Sequence, residues 1–124
     1  MPHHNDVAIA KALFDAYVTK DRPAAERLVA SDFSFTSPLD NRLDRTTYFE
    51  RCWPNSETTQ EFRFVHVVPA DGRVFVTYEA KTTRGTFRNT EVLTIAHGQV
   101  TEVEVYFGWN LPHEAKPGEF VTKL

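Results

Sequence analysis

The sequence predicts one α+β domain in which about three N-terminal helices pack against a curled antiparallel sheet that ends in a four-strand meander. Three observations support this fold class. Apolar residues recur at helical intervals in the first third of the chain, whereas apolar and polar residues alternate through much of the remainder. Gly72, Gly85 and Gly98 follow one another at intervals of thirteen residues. Such regular spacing is typical of turns between consecutive hairpin strands.

The helices are predicted from apolar spacing and from residues that start or stop a helix. The first covers residues 6–20, where Val, Ala, Leu and aromatic residues recur at helical intervals. The second covers residues 23–29, because Pro23 fits the first turn of a helix without the loss of a hydrogen bond. The third begins at Asp44, which has the side chain of a helix cap, and is expected to end at Pro54.

Strands are predicted where apolar and polar residues alternate. A short strand at 33–36 is ended by Ser37 and Pro38, and residues 55–59 are expected to form a loop. The antiparallel meander is predicted from four runs rich in Val, Phe, Thr and Tyr, at 60–69, 73–84, 86–96 and 99–109. Strands of this length span roughly 33 Å, so the sheet must twist and curl to stay compact. Residues 1–124 are interpreted as one domain, with 111–124 as a C-terminal tail.

Composition argues against several classes of protein. A chain of 124 residues with 41% hydrophobic and 25% charged residues fits one soluble domain with one core. Fourteen Lys and Arg against seventeen Asp and Glu give a net charge of -3, so no basic footprint for nucleic acid is present. Cys52 is the single cysteine, so no internal disulfide can form and a cytoplasmic location is expected. Neither a signal peptide nor a membrane-spanning run is predicted.

The most informative residue is Glu91, in the third run of the meander. Strict alternation places it on an otherwise mostly apolar face, together with Phe87, Asn89, Leu93 and Ile95. A carboxylate on such a face is costly to ionise unless a partner compensates, so its pKa should rise or it must find a donor. Glu91 is therefore either a functional acid or base, or it points outward at a barrel rim or is a structural partner of an arginine such as Arg63 or Arg88.

Two further polar residues are candidates for the same site. His66 is expected to share a face with Phe62, Phe64 and Val68. There it is either a neutral core histidine or a proton carrier that works with Glu91. Asn89 either orients a carbonyl group of a ligand or satisfies a turn.

Large aromatic residues are candidates for the walls of a pocket. Tyr17, Tyr48 and Trp53 lie at helical positions, and Phe35 and Phe107 lie on strands. These side chains either enclose an apolar ligand or simply fill the core.

No metal site or cofactor is predicted. Metal-binding spacing is missing from the histidines, which are His3, His4, His66, His97 and His113, and a single cysteine supplies no thiolate pair. The glycines match turn positions and form no phosphate-binding motif. Ser37 and Asp40 lack the glycines of a nucleophile elbow, so they are interpreted as turn residues.

The order of elements, together with four local segments, resembles the NTF2-like superfamily, and most closely its SnoaL-like members. The segments are 32–38 (DFSFTSP), 44–54 with its Tyr48-Phe49 and Trp53-Pro54 pairs, 87–91 (FRNTE) and 103–108 (VEVYFG). The resemblance implies a cystatin-like cone with an internal pocket, and a homodimer formed through the outer sheet face. The apolar character of Val65, Val67, Val92 and Tyr106, which are expected on that face, agrees with a dimer interface.

The ketosteroid isomerases of this superfamily provide a specific mechanism to compare. The position of their catalytic aspartate is matched by Ser37, before Pro38, and the position of their oxyanion tyrosine falls at about Leu13. Leucine donates no hydrogen bond. Only their protonated carboxyl group on a later strand has a counterpart, at Glu91. The resemblance therefore disfavours steroid isomerisation by that route.

Two classes of function follow. The first is a cofactor-independent isomerase, cyclase or hydrolase that uses Glu91, with His66 as partner, on a small apolar or cyclic molecule. Tyr17 and Asn89 would orient polar ligand atoms, while Trp53 and Phe107, with Phe35 and Tyr48, would enclose the apolar part. The alternative is a non-catalytic protein that binds a hydrophobic ligand, or a dimeric interaction protein.

Overall fold

The structure is a computed structural model that describes residues 5–122. Its ten elements follow in the order α1 (Asp6–Thr19), α2 (Arg22–Leu28), β1 (Val29–Ser37), β2 (Asp40–Leu43), α3 (Arg45–Arg51), a 3₁₀ helix (Trp53–Glu57), β3 (Thr59–Ala70), β4 (Arg73–Thr82), β5 (Gly85–Ala96) and β6 (Gln99–Leu111). The predicted α+β fold class is confirmed. Residues 112–122 contain neither helix nor strand.

Local sequence explains where the helices begin and end. The Asp21 carboxylate accepts a hydrogen bond from the backbone N–H of Ala24 (3.2 Å), and that of Asp44 accepts one from Thr47 (2.9 Å). These bonds satisfy amides that lack a partner in the first helical turn. The expected stop at Pro54 is wrong in detail. The α-helix ends at Arg51, and Pro54 lies in the first turn of the 3₁₀ helix, so part of the expected loop at 55–59 is helical.

The six strands form one sheet in the order β2-β1-β6-β5-β4-β3. Strands β3 to β6 pair antiparallel with their neighbours, as the meander predicts. The sheet is nevertheless mixed, because β1 runs parallel to β6. Strand β1 is longer than the predicted 33–36, and β2 was not predicted, because its sequence, DNRL, has no apolar alternation.

Two of the meander turns have the backbone geometry that their sequences favour. Asp71 and Gly72 have φ angles of 52° and 76°, and His97 and Gly98 have 53° and 76°. Positive φ at both central residues matches the twist of a right-handed hairpin and is the reason for glycine at the second position. These two turns contain Gly72 and Gly98, two of the three glycines that are spaced thirteen residues apart in the sequence.

The helices cover one face of the sheet, called here the inner face. Its central side chains are almost fully buried and apolar, namely Val74, Val76, Tyr78 and Ala80 on β4, Leu93 and Ile95 on β5, and Val103 and Val105 on β6. Helix α1 packs against this face through Ala10, Leu13 and Phe14. The opposite side, the outer face, includes Phe75, Thr77 and Glu79, which alternate with the buried residues of β4.

A β-bulge in β3 changes which residues of this strand point inward. The register between β3 and β4 shifts between Phe64 and His66, so Phe64 pairs with Tyr78 but His66 pairs with Thr77. One extra residue moves every later side chain to the opposite face. His66 therefore lies on the outer face and is exposed, while Val67 packs against the core. The prediction of an inward His66, and of an outward Val67, is wrong for this reason.

No helix within residues 5–122 is both long and apolar enough to span a membrane.

Candidate functional site

A cavity of about 540 Å³ lies between the helices and the inner face of the sheet. Most of its wall is apolar, and many of the side chains are aromatic. The lining comprises Leu13, Phe14, Tyr17, Phe35, Ser37, Leu39, Asp40, Tyr48, Cys52, Asn55, Thr59, Phe62, Tyr78, Ala80, Phe87, Asn89, Glu91, Val103, Val105 and residues 107–110. A volume of this size accommodates a ligand with one or a few rings.

Glu91 projects into this cavity from the inner face of β5. On the neighbouring strands it pairs with Val76 and Val105, so the carboxyl group is flanked by valines. Its Oε2 accepts a hydrogen bond from the Tyr78 hydroxyl at 2.6 Å. Burial raises the pKa of Glu91 from its usual 4.5 to about 7, and the hydrogen bond from Tyr78 only partly offsets this effect. Both protonation states are consequently populated near neutral pH.

The second carboxyl oxygen of Glu91 is open to the cavity. Within residues 5–122, every buried side-chain nitrogen or oxygen has a hydrogen-bond partner. The hydrogen bond of Glu91 is at Oε2, and Oε1 has none. Oε1 is therefore accessible, and because Glu91 lines the cavity, it is available to a ligand.

Asn89 is held beside Glu91 by a second irregularity of the sheet. The register of β5 and β6 shifts between Arg88 and Asn89, which leaves Gly108 as an extra residue opposite them. The N–H of Gly108 donates to Asn89 Oδ1 at 3.1 Å, so the amide hydrogens on Nδ2 remain for other partners. A Cβ on Gly108 would collide with the Arg88 carbonyl oxygen, so this close approach requires glycine.

Tyr78 connects these polar groups. Burial raises the pKa of its hydroxyl well above 10, as does the neighbouring Glu91, while a hydrogen bond from Asn89 acts in the opposite direction. Tyr78 therefore stays protonated at neutral pH and acts as a donor to Glu91. The side chains of Tyr78, Asn89 and Glu91 form one polar cluster in a mostly apolar wall.

A second polar group lies on the helical side of the cavity. The hydroxyl groups of Tyr17 and Tyr48 are hydrogen-bonded to each other at 2.7 Å. Burial raises the pKa of both tyrosines above 10, so both keep their protons. Only one of the two hydrogens is needed for the mutual bond. The other is available to donate to a polar atom in the cavity.

Six of the eight predicted site residues line the cavity: Tyr17, Phe35, Tyr48, Asn89, Glu91 and Phe107. His66 does not, because the bulge in β3 places it on the outer face. Trp53 does not line it either. Its indole is buried in the core against Tyr17 and Phe49, with ring centroids 4.9 and 6.3 Å away. Trp53 therefore packs against a lining residue, Tyr17, without lining the cavity itself.

The two arginines considered as structural partners of Glu91 are engaged elsewhere. Arg63 and Arg88 each form an ion pair of 2.7 Å with Glu79, and Glu79 belongs to the outer face. The alternative in which an arginine neutralises Glu91 is therefore wrong. The alternative in which Glu91 points outward is wrong as well, because Glu91 lines the cavity.

Sequence reasoning missed several cavity residues, of which Tyr78 is the most important. The hairpin between β4 and β5 pairs Thr82 with Gly85, and counting outward from it pairs Tyr78 with Asn89 and Val76 with Glu91. Tyr78 is thus a diagonal neighbour of Glu91 on the same face. A face assignment for the second run of the meander, combined with this register, would have found it.

The other unpredicted residues of the wall include Ser37, Asp40 and Cys52. The Ser37 hydroxyl donates to Asp40 Oδ2 at 2.9 Å and also accepts from the Leu39 N–H, which agrees with the predicted turn. Cys52 is buried, and burial raises the pKa of its thiol to about 11, so it is protonated near neutral pH. Within residues 5–122, no three His, Cys, Asp or Glu side chains are grouped in a way that would hold a metal ion.

A match to a model of a protein family shows which family this chain belongs to. The SnoaL-like domain matches residues 10–103, which is most of the chain. The chain belongs to the SnoaL-like domain family. A comparison with curated proteins gives no match.

Solved structures similar to this SnoaL-like chain share its fold at low sequence identity. An NTF2-like protein of unknown function from Cytophaga hutchinsonii is 17% identical, with a TM-score of 0.73 over 83% of this chain and 89% of that chain. A Kribbella flavida protein, provisionally assigned as a ketosteroid isomerase, is 16% identical, with a TM-score of 0.74 over 98% of this chain and 91% of that chain.

A de novo designed protein with a curved β-sheet reaches a TM-score of 0.75 at 7% identity, over 87% of this chain and 88% of that chain. Because a designed scaffold adopts the same fold, the fold alone does not carry a function. The function of this SnoaL-like chain must be argued from its cavity.

Proposed function

We propose that this SnoaL-like protein is a cofactor-independent enzyme that uses Glu91 for acid–base chemistry on a small, mostly apolar cyclic substrate, as an isomerase, cyclase or hydrolase would. The observation that carries the proposal is the carboxyl group of Glu91. It lies in an apolar cavity with Oε1 open to a ligand, and its pKa is raised to about 7. A group that titrates near neutral pH both accepts and donates protons efficiently.

The surrounding groups support a specific division of roles. Ionised Glu91 takes a proton through Oε1 and returns it in its neutral form, while the Tyr78 hydroxyl holds Oε2 in place. Asn89 Nδ2 and the free hydroxyl hydrogen of the Tyr17–Tyr48 pair are donors that suit a carbonyl or hydroxyl oxygen of the substrate. Phe35 and Phe107 are the aromatic walls for its apolar part.

The test uses a reaction that requires only proton transfer. A panel of cyclic ketones is incubated with the protein in D₂O, and exchange of the α-hydrogens is followed by NMR. Catalysed exchange of at least one ketone is expected from the wild type, and Glu91→Gln is expected to reduce it at least a hundredfold. Glu104→Gln, on the other side of the sheet, serves as the matched control and should retain exchange. Equal exchange by wild type and Glu91→Gln would remove Glu91 from the mechanism.

Non-catalytic binding of a hydrophobic ligand is the second candidate. It is favoured by the position of His66 on the outer face, which leaves Glu91 without the predicted histidine partner. In this case Glu91 serves only as a hydrogen-bonding anchor. Ligands would then bind in the cavity, and the exchange rate of every ketone would equal that of the buffer.

A homodimer through the outer face is also part of the proposal. It is supported by large apolar side chains exposed there, which include Val68, Phe75 and Tyr106, with exposed fractions of 52%, 41% and 56%. Light scattering after gel filtration should give twice the mass of one chain. Tyr106→Glu should reduce it to one chain, whereas Leu39→Glu, on an exposed turn elsewhere, should not. A wild-type mass of one chain would contradict the dimer.

A cytoplasmic location completes the proposal. It is supported by the single cysteine, Cys52, which is buried and cannot form an intrachain disulfide.

A further inference from the structure

Within residues 5–122, the lining of the cavity contains acidic side chains but no basic ones. Among the lining residues that the structure describes, two carry carboxyl groups, Asp40 and Glu91, and none is a lysine, arginine or histidine. The polar remainder consists of hydroxyl and thiol groups, which are neutral when protonated, and of amide and indole groups, which carry no charge. An anionic ligand would therefore enter a cavity that offers it no positive side chain, next to a carboxyl group that it would repel.

Glu91 in particular has no positive partner in the part of the chain that the structure describes. Arg63, on β3, and Arg88, on β5, are held on the outer face by Glu79. The partner of Glu91 is the neutral Tyr78 hydroxyl, at Oε2, and Oε1 has none. A carboxylate in an apolar wall is stabilised most strongly by an opposite charge at hydrogen-bonding distance. Residues 5–122 provide no such charge at Oε1, and a cationic ligand would supply it.

The aromatic wall also suits a cationic ligand. The faces of Phe, Tyr and Trp rings carry partial negative charge and attract ammonium groups. Besides Tyr78, eight such rings line the cavity, among them Phe14, Tyr17, Phe35, Tyr48, Phe87 and Phe107. For a protonated amine attached to an apolar ring, the ammonium group can contact Glu91 and the faces of the aromatic rings, and the apolar ring can pack against the same aromatic wall.

Asp40 is a weaker candidate for the same role. Its Oδ2 accepts from Ser37 at 2.9 Å, and its Oδ1 lies 3.5 Å from Arg51 Nε. Both oxygens therefore have a partner, and the charge of Asp40 is already balanced by a cation. This difference identifies Glu91 as the position for a ligand cation and makes Asp40 a useful control.

We propose that the ligands of this cavity are apolar ring compounds with a protonated amine, and that the ammonium group pairs with the ionised carboxyl group of Glu91. The inference rests on the proposed function, because it takes the same cavity as the ligand site, and it adds the charge of the substrate. It also predicts that carboxylate-bearing ligands of the same shape are rejected.

The test compares three probes that share one ring system and differ in charge. These are 1-naphthylmethylamine, 1-naphthylmethanol and 1-naphthoate, and their dissociation constants are measured by calorimetry at pH 8, where Glu91 is mostly ionised. The amine should bind at least tenfold more tightly than the alcohol, and the carboxylate at least tenfold more weakly. Equal binding of amine and alcohol would overturn the inference.

Two variants assign the effect to Glu91. In Glu91→Gln, the ratio of amine to alcohol affinity should fall to within threefold of one, because the carboxylate is replaced by a neutral group of similar size. In Asp40→Asn, the ratio should stay within threefold of the wild-type value. A preference that survives in Glu91→Gln but disappears in Asp40→Asn would contradict the assignment.

Failure of this inference differs from failure of the proposed function. If the alcohol binds but the amine binds no better, the charge preference is wrong and the ligand cavity still stands. If no probe binds, the charge preference is wrong as well, and the exchange of ketone α-hydrogens decides separately whether Glu91 is an acid–base group.

Discussion

Glu79 and Glu91 lie on neighbouring strands of one sheet, but their carboxyl groups are in opposite situations. Glu79, on the outer face, is held between Arg63 and Arg88 with two contacts of 2.7 Å, and hydrogen bonds from these arginines lower its pKa below the usual 4.5. Glu91, on the inner face, accepts one hydrogen bond from a neutral tyrosine, and burial raises its pKa to about 7. The face of the sheet, rather than the residue type, decides the chemistry.

The comparison also shows how the two faces divide stability and function. Glu79 is satisfied by the chain itself and needs no ligand. Ionisation of Glu91 costs free energy because its surroundings are apolar. A carboxyl group that is costly to ionise and lines a cavity is typical of a functional site. The predictions below test this division, beginning with the largest expected effect on stability.

Leu93→Ala should show that the inner face carries the stability of the sheet. Leu93 is fully buried on β5, so its truncation leaves a cavity and should lower the free energy of unfolding by about 2–5 kcal/mol. Thr94→Ala, on the next residue and the opposite face, is the control and should change it by less than about 0.5 kcal/mol. Urea denaturation measures both. Similar losses for the two variants would contradict the division between the faces.

Glu91→Gln should change how stability depends on pH. Between pH 4.5 and about 7 the unfolded chain has released the Glu91 proton while the folded chain still holds it, so stability falls as pH rises. This contribution amounts to roughly 3 kcal/mol at pH 8. Relative to wild type, the variant should therefore be more stable at pH 8 than at pH 4.5 by about that amount. If the stability of the variant relative to wild type is the same at both pH values, burial does not raise the pKa of Glu91.

Glu79→Gln is the matched variant on the outer face, and the sign of its effect is opposite. The lowered pKa of Glu79 stabilises the folded state above the unfolded pKa of 4.5, and this stabilisation is lost as pH falls through the folded pKa. The variant should therefore be slightly less stable than wild type at pH 8, and the difference should disappear in acid. Urea denaturation at pH 8 and at a pH well below 4.5 measures it, and a gain in stability at pH 8 would contradict the ion pairs.

Tyr78→Phe should raise the pKa of Glu91 above its wild-type value of about 7. The hydroxyl of Tyr78 donates to the ionised carboxyl group and so lowers this pKa, and phenylalanine cannot replace it. Carbon-13 NMR of the labelled carboxyl groups measures the change. Tyr106→Phe, on the outer face, is the control and should leave the pKa unchanged. An unchanged pKa in Tyr78→Phe would show that the hydrogen bond does not form.

His66→Ala should have the smallest effect on the proposed activity. His66 pairs with Thr77 on the outer face, so its removal should leave the exchange of ketone α-hydrogens within about twofold of wild type. A loss comparable to that of Glu91→Gln would show that His66 reaches the cavity and that the bulge in β3 is misplaced.

Most of the fold followed from the sequence because its signals are local. Apolar spacing, capping aspartates and turn glycines indicated three helices and the four strands of the meander to within a few residues. The parallel pairing of β1 with β6 was not predicted, because it joins segments that are distant in the chain. Strand β2 was missed because an edge strand of polar residues lacks the alternation that identifies a strand.

The site was predictable where strict alternation holds and not where a bulge interrupts it. Glu91 and Asn89 lie where β5 pairs with β4 without a shift of register, and the extra residue opposite Asn89 belongs to β6. Their inward direction therefore followed from the alternation in β5. The bulge between Phe64 and His66 shifts the face by one residue and has no signature in the sequence, such as a glycine. Trp53 was misplaced for another reason, since helical spacing identifies buried aromatic residues without separating a cavity wall from the core.

The central claim is that the carboxyl group of Glu91 lies in the apolar wall of the cavity without a positive partner among residues 5–122. Carbon-13 NMR titration of the glutamate carboxyl groups tests it directly, with Glu79 as the internal reference in the same spectrum. We predict that Glu91 titrates near pH 7 and that Glu79 titrates below 4.5. Titration of Glu91 at or below 4.5 would contradict the account.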